Sequence, residues 1–555
     1  MEKDWWKGKV AYQIYPKSFK DSNGDGIGDL KGITQKLDYL EKLGIDILWL
    51  SPIYKSPFID QGYDISDYYA IDPLFGTMED MEELIAEGKK RGISIIMDLV
   101  VNHCSSHHEW FQKALADPDG PYADYFYFIE SDKEPNNWES YFGGSVWEPV
   151  PGTNKYYLHS FHKDQPDLNW QNPVLREEIY TMINWWLDKG IAGFRIDAII
   201  NIKKDLEWRS LPSDRANGLV PVPESLVNAQ PIEPFLQELK GRTFAKYNAF
   251  TVGEVFNETD EELHFFIGKD GVFSSIFDFK QTMLGQEGKG WFDHTLPTAD
   301  ELKESIFQAH ERADSIGVLS TIIENHDEPR GVSHYIAEGS VNDTSKKALG
   351  TIQVLRKGIP FIYQGQEIGM ENQVFESVED FDDIATINGY HVAKEAGLSE
   401  EEALAAIAKY SRDNARTPMQ WTAEPGLGFS DGPAWLISPK PDYSINVEDQ
   451  EKDPDSILNY YRQLTALYRH PLYGNTIRFG DMIPAYRDRE NIIAFERRGD
   501  KRLLIVSNFQ NRQASLDLPA PIETVILTNV TGLFQEGDQV LELAPYQTIV
   551  LELVE

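Results

Sequence analysis

Short apolar runs rich in β-branched and aromatic residues recur along the chain, most of them followed by longer stretches with apolar residues three and four apart. The runs begin near Val10, Ile45, Ile93, Gly193, Phe250, Ser275, Thr321 and Pro360. Between them, Lys31 to Leu43 places Ile33, Leu37, Leu40 and Leu43 on one helical face. Val174 to Leu187 repeats that spacing with Glu177 and Glu178 outward. Eight strands alternating with helices predict an α/β fold, a (β/α)8 TIM barrel with a closed parallel sheet.

Two stretches interrupt the alternation. Cys104 to Gln171 is dense in Trp, Tyr, Phe, Gly and Pro and weak in helical periodicity, which predicts an inserted subdomain lining the cleft. The barrel is therefore expected in two parts, 1–103 and 172–478, flanking an insertion at 104–171. An acidic, Ala-rich excursion at about 371–412 includes the helical pattern Ser399 to Ala408. From about Phe479 the pattern changes to short alternating runs, among them Ile492 to Glu496, Leu503 to Asn508, Val525 to Thr528 and Thr548 to Val554. Residues 479–555 are expected to form an antiparallel β domain.

Composition narrows the partners. The chain has 555 residues, 41% of them apolar, enough for a large core and two or three domains. Against 52 Lys and Arg stand 90 Asp and Glu, a formal net charge of -38 that repels nucleic acid and anionic membrane surfaces. A lone cysteine, Cys104, allows no internal disulfide. The start, MEKDWWKGKV, lacks the apolar core of a secretion signal, and no apolar stretch reaches the roughly 18 residues of a membrane span. A cytoplasmic protein with no membrane partner is expected, with a monomer favoured. No motif calls for an organic cofactor, and no HExxH-like pattern points to catalytic zinc.

Four segments set polar residues directly after apolar runs: Asp98 to His103, Gly193 to Asp197, Gly253 to Val255, and Asn325 to Asp327. In a parallel barrel such positions lie at the C-terminal rim, where catalytic side chains gather. Arg195, two residues before Asp197 on the same face, would hold that carboxylate ionised, as a nucleophile requires. Glu254, at the tip of an apolar strand, can have its pKa raised by desolvation, as a proton donor requires. His326 can donate to sugar hydroxyls, and Asp327 can bind them or steady developing positive charge. Each motif alone is more often structural. Independent structural acids would not favour all three in order at the ends of the fourth, fifth and seventh strands, a glycosidase pattern. Separately, DSNGDGIGD, Asp21 to Asp29, alternates oxygen-bearing residues with glycines, as a hard cation prefers, but lacks the twelfth-position glutamate of a full EF-hand loop.

The chain resembles the α-amylase superfamily of glycoside hydrolases, in particular its oligo-1,6-glucosidase (isomaltase) and α-glucosidase branch. The likeness runs from WWKGKVAYQIYPKSF through QGYDISDYY, DLVVNH, QPDLNW, GFRID, GEV, NHD and PFIYQGQEIGM to SRDNARTPMQW. By resemblance Asp197 is the nucleophile, Glu254 the general acid and then base, and Asp327 the acid that stabilises the transition state. Arg195, His103 and His326 match positions touching the nonreducing glucose, Tyr63 matches the aromatic floor beneath it, and Asp60 and Arg412 match a pair closing the pocket behind it. Gln165 and Phe142 or Phe161 fit the wall, with Asp98 and Asn102 in support. The resemblance also implies a structural Ca²⁺ or Mg²⁺ on Asp21, Asn23, Asp25, the Ile27 carbonyl and Asp29.

The activity implied is a retaining, exo-acting release of terminal glucose from short oligosaccharides. For the linkage, the resemblance implies that the residue after the nucleophile sits on the leaving-group side of the cleft. Valine there goes with α-1,6 bonds in the resembling family, and threonine or alanine with α-1,4. Here it is Ala198, while Ile199, Ile200 and Asn201 resemble the isomaltose-cleaving branch, so α-1,6 is expected, with an α-1,4 or dual-specificity enzyme as the alternative. Glu328 stands where glutamine is usual, adding a carboxylate beside Asp327 that can raise a neighbouring pKa or select a different aglycone. Hydrolysis of trehalose 6-phosphate or isomerisation of sucrose would need a basic phosphate pocket or a specialised loop, and a noncatalytic relative would lack part of the acid set.

Overall fold

The computed structural model describes residues 3–215, 217–256, 258–285, 294–532 and 534–554. Eight parallel strands close into a barrel: β1 (Ala11–Ile14), β2 (Ile47–Leu50), β3 (Ser94–Val100), β4 (Gly193–Asp197), β5 (Phe250–Gly253), β6 (Ser275–Phe277), β7 (Leu319–Thr321) and β8 (Ile359–Tyr363). Their order round the barrel is their order in the chain. The expected (β/α)8 architecture holds, and most of these strands are buried along their whole length. A strand covered on both faces reads as a continuous apolar run, which is why the runs marked the strands.

By packing, the chain divides into two units. One is built mainly from Trp49–Ala86 and Ser94–Ile276. Here β4 pairs with β3 and β5 in a register that sets Arg195 level with Asp98 and Val252. The pairing is close at Gly193, where a Cβ would fall 1.7 Å from the Phe250 carbonyl oxygen. The helix Pro173–Asp188 starts on an Asn172 side-chain cap, buries Leu175, Ile179, Met182, Ile183 and Trp186, and exposes Glu177 and Glu178. The stretch after β3 carries a helix, Glu109–Ala116, that its weak periodicity did not predict, and an antiparallel sheet of Phe128–Glu130, Lys155–Leu158 and Trp147–Pro149. A chain segment beyond β4 joins it: Val220–Pro221 pairs with Trp138–Glu139, and Trp208 packs against Trp138 and Trp147.

The other unit holds Trp5–Leu48, Glu87–Ile93 and the chain from Phe277 onward. The helix expected over Lys31 to Leu43 is two helices, Leu30–Gln35 and Leu37–Leu43. The Lys36 amide closes on the Ile33 carbonyl at 3.0 Å, and the Thr34 hydroxyl back-bonds to the Leu30 carbonyl. The acidic excursion forms the helices Ile384–Glu395 and Glu400–Tyr410, the second with Ser399 and Glu402 in a capping box. Near the C-terminus, Asp481–Ala485, Ile492–Arg498, Arg502–Asn508, Thr548–Leu553 and Ile522–Thr528 build an antiparallel sheet in that spatial order. Alternate residues such as Ile492, Ala494, Leu504, Val506, Ile549 and Leu551 form one core cluster there. Among the described residues no helix is long and apolar enough to cross a membrane.

Candidate active site

The first cluster grows out of the β3, β4 and β5 register. Side chains two apart on a strand share a face, and side chains level across parallel strands share it too. Arg195 thus reaches Asp98 and Asp197: Nη1 lies 2.7 Å from Asp98 Oδ1 and 2.6 Å from Asp197 Oδ1. Its Nη2 lies 2.7 Å from Glu254 Oε1, the first residue past β5. Three carboxylates therefore meet one buried guanidinium. Burial disfavours the charge on Arg195, but Asp98, Glu254 and Asp197 outweigh it and raise its pKa well above the usual value. Asp197, expected to be held ionised by that arginine, is governed by more than Arg195. Burial pushes its pKa well up, Arg195 opposes, and the charges of Glu254 and Asp98 add to the rise. A cluster short of positive charge favours keeping one proton.

Glu254 is anchored at both oxygens. Beyond its contact with Arg195, Oε2 accepts the Ala198 amide at 2.7 Å. Ala198 adopts a left-handed backbone with φ of 42°, a strain of order 1 kcal/mol for a residue with a Cβ. Asp98 accepts two further donors, Tyr63 Oη at 2.9 Å and Trp49 Nε1 at 3.1 Å. Next to these, the buried His103 donates from Nε2 to the Tyr63 carbonyl at 3.1 Å and takes the Asn102 amide at Nδ1 at 3.2 Å. Burial lowers its pKa and keeps the ring neutral. Gln165 lies 3.2 Å from the same Nε2 and donates to Asp60 Oδ2 at 3.0 Å.

The second cluster lies beyond β7. The chain leaves the strand at Thr321, where the reading from the sequence began it, because the Ile322 carbonyl is taken by the side chains of Gln281 and Arg356. The loop that follows is bracketed by a buried pair, Arg330 Nη1 to Glu324 Oε1 at 3.0 Å. Inside it Asp327 is held by three groups: Arg412 Nη1 and Arg416 Nη2 on Oδ1, and His326 Nε2 on Oδ2, each at 3.0 Å. The Gln13 amide donates to His326 Nδ1 at 2.8 Å, so the ring proton sits on Nε2 and points at Asp327. Behind them the buried Asp383 takes Arg412 at 2.6 Å and lies 3.8 Å from Arg416. Burial alone would raise the Asp383 pKa, but the two arginines outweigh it and bring it down to about 2. Beside Asp327, burial and the neighbouring carboxylate push Glu328 up to about 8, against a hydrogen bond from Thr282.

The catalytic-domain model for alpha amylases matches residues 13–472. The chain belongs to the alpha-amylase family. As a glycoside hydrolase of that family it is 41% identical to the oligo-1,6-glucosidase of Halalkalibacterium halodurans over 559 residues, 99% of each chain. It is equally 41% identical to the glucan 1,6-alpha-glucosidase of Streptococcus pneumoniae, over 100% of both. The trehalulose synthase of Pseudomonas mesoacidophila superposes with a TM-score of 0.93 at 37% identity, covering 99% of each chain. A trehalose-6-phosphate hydrolase of Bacillus subtilis is also a relative, 38% identical over 99% of this chain and 98% of its own.

In the hydrolase's glycine-rich loop the acids are bonded to neighbouring backbone amides and hydroxyls. Asp21 Oδ1 accepts the amides of Asn23 and Gly24, and Oδ2 accepts the Gly26 amide and the Ser430 hydroxyl. Burial raises the Asp21 pKa, but these four bonds outweigh it and leave the carboxyl below its usual value. Asp29 accepts from Ser22 on one oxygen and caps a helix at the Gly32 amide with the other. Among the described residues no three His, Cys, Asp or Glu side chains are gathered to hold a metal.

Several residues of the two clusters were given no role by the sequence, although Asp167, Arg416 and Gln13 lie inside motifs that carry the resemblance. Lys204 and Asp167 form a buried ion pair at 2.8 Å, and Lys204 Nζ also reaches Asn102 Oδ1 at 3.2 Å. Asp383, Arg416 and Gln13 orient Asp327 and His326 from far along the chain. Only their contacts give them away.

Proposed function

We propose that this glycoside hydrolase is a retaining α-glucosidase that releases terminal glucose from short α-gluco-oligosaccharides, α-1,6-linked substrates first. The observation that carries the reading is the charge imbalance around Arg195. A retaining mechanism needs an ionised carboxylate and a protonated one flanking the same bond. Three carboxylates on one guanidinium, two of them buried and Glu254 partly so, favour that mixed state, whereas three fully ionised acids would repel one another. In the proposed cycle Asp197 attacks the anomeric carbon while Glu254 gives its proton to the departing oxygen. Glu254 then draws a proton from water, which opens the glucosyl ester on Asp197 with net retention. Asp327, held rigid by His326, Arg412 and Arg416, binds ring hydroxyls and steadies the positive charge of the transition state. His103, Tyr63 and Gln165 bind the terminal glucose, and exo action follows from the roles proposed for Asp60 and Arg412 there.

Ala198 supports an α-1,4 or dual-specificity reading as the alternative, since a small side chain there leaves room on the leaving-group side. A relative named trehalose-6-phosphate hydrolase and a solved relative in complex with its substrate sucrose bring both sugars into the same test. Separate incubation with isomaltose, panose, maltose, trehalose, trehalose 6-phosphate and sucrose should release glucose fastest from isomaltose or panose. NMR of the fresh product should show the α anomer. Release of the β anomer, or no release from isomaltose and maltose alike, would refute the proposal.

We further propose that the Asp21 to Asp29 loop binds a structural Ca²⁺ or Mg²⁺ through its oxygens, outside the reaction, and that the enzyme works in the cytoplasm. Chelation should lower Tm by about 5 °C, and calcium should restore it. An unchanged Tm would remove the ion from the account.

A further inference from the structure

Three rings step outward from the buried histidine of the first cluster. Phe161 packs on His103 with centroids 5.0 Å apart, and Tyr141 stacks on Phe161 at 4.7 Å with 17° between the planes. His103 is buried, Phe161 half-buried, and Tyr141 is 42% exposed. Tyr141 is nevertheless fixed at both ends: its amide donates to the Ser160 carbonyl at 2.9 Å, and its hydroxyl donates to Asn201 Oδ1 at 3.1 Å. Asn201 lies on the 3-10 turn Ile199–Ile202, just past Asp197, and Ala198 at the head of that turn donates to Glu254. Burial raises the Tyr141 phenol pKa, the bond to Asn201 opposes, and the Glu254 charge adds to the rise.

A rigid ring stacked on one neighbour and still 42% exposed offers a stacking surface at little entropic cost. Its hydroxyl is spent on the turn that follows the nucleophile and starts from the acid's amide donor. We propose that Tyr141 is a specificity-determining residue for this hydrolase: its exposed face is the platform for the sugar that leaves, held beside the proton donor by the bond to Asn201. The inference rests on Glu254 as that donor and on terminal glucose binding near His103. The ladder from His103 to Phe161 to Tyr141 then runs in the direction of the substrate itself, from the glucose that is cleaved to the sugar that departs.

The test compares kcat/KM on a disaccharide with kcat/KM on α-glucosyl fluoride, whose leaving group is a single atom with no ring to stack. The disaccharide is whichever of isomaltose and maltose the wild type cleaves faster. Y141A should lose about 10- to 30-fold on the disaccharide and change less than about 2-fold on the fluoride. Y141W, which keeps a platform, should recover to within about 3-fold of wild type, and Y141F, which loses only the bond to Asn201, should fall about 3-fold. Equal losses on both substrates in Y141A, or no loss on either, would overturn the proposal. Should wild type release no glucose from either disaccharide, the reading of the reaction falls first, and the inference with it. No Tyr141 variant can produce that result.

Discussion

Around Arg195 three carboxylates crowd one guanidinium, whereas around Asp327 two guanidiniums serve Asp327 and Asp383 together. Both clusters are anchored at or beyond the ends of barrel strands, and both mix the same residue types. The difference is charge balance. An unbalanced buried cluster must trade a proton to relieve repulsion, and proton trade is what an acid and a nucleophile do. The second cluster, with two guanidiniums, is nearer balance and fixes its members in space, while the buried Asp413 beside it is pushed up to about 6 by burial and the Asp383 charge. The first arrangement therefore suits bond making and breaking, and the second suits holding a sugar and its transient charge.

If that contrast is right, neutralising an acid in each cluster has opposite consequences for stability. D197N should lower kcat by at least about 10⁴-fold on the preferred disaccharide, since it removes the nucleophile. Its Tm should stay level or rise, because one buried negative charge is gone from a cluster with too many. Initial rates and calorimetry check both halves, and more than about 1% residual activity would remove Asp197 from its role. D383N should do the reverse. Activity should fall less, about 10- to 100-fold in kcat/KM, as Arg412 and Arg416 lose their anchor. Stability near neutral pH should drop by about 2 to 3 kcal/mol, since the folded pKa of about 2 lies roughly two units under the ordinary aspartate value. A depressed folded pKa stabilises above the unfolded value and loses that contribution as pH falls through the folded one. The wild-type advantage over D383N should thus close between about pH 4 and pH 2 in urea titrations. A gap independent of pH would mean that Asp383 acts through packing alone.

The contrast also separates what the chain's sequence discloses from what it conceals. Barrel strands were readable because burial on both faces writes them as apolar runs, and Asp197 and Glu254 because they end such runs. The break at Lys36 was hidden, since it depends on one threonine hydroxyl competing for a carbonyl. The NHD loop was visible as a motif, but its departure from the barrel depends on Gln281 and Arg356 reaching the Ile322 carbonyl. Asp383 stands in FDDIAT among other acids with nothing to mark it, and its meaning comes from two arginines about 30 residues on. Gln13 and His326 meet across 313 residues. Motif reading finds residues whose chemistry is local to a strand end; positioning residues recruited over long distances need the fold.

Glu328 is the residue that can turn one kind of cluster into the other. Near neutral pH it carries a proton, because burial and Asp327 push it up to about 8, and the Asp327 cluster keeps its balance. Above that pH a second negative charge arises beside Asp327, and the two arginines become too few. Activity of the wild type should therefore decline above about pH 8, while E328Q should hold its neutral-pH rate further into the alkaline range. At pH 9 the variant should exceed wild type by about 3-fold once each is normalised to its own rate at pH 7. Stability follows the same sign. Between the unfolded value of about 4.3 and about 8, the folded protein keeps a proton that the unfolded chain releases, so stability falls as pH rises across that window. E328Q should flatten that slope in denaturant titrations. Coincident alkaline limbs and slopes would show that the Glu328 carboxyl is spectator to the charge balance.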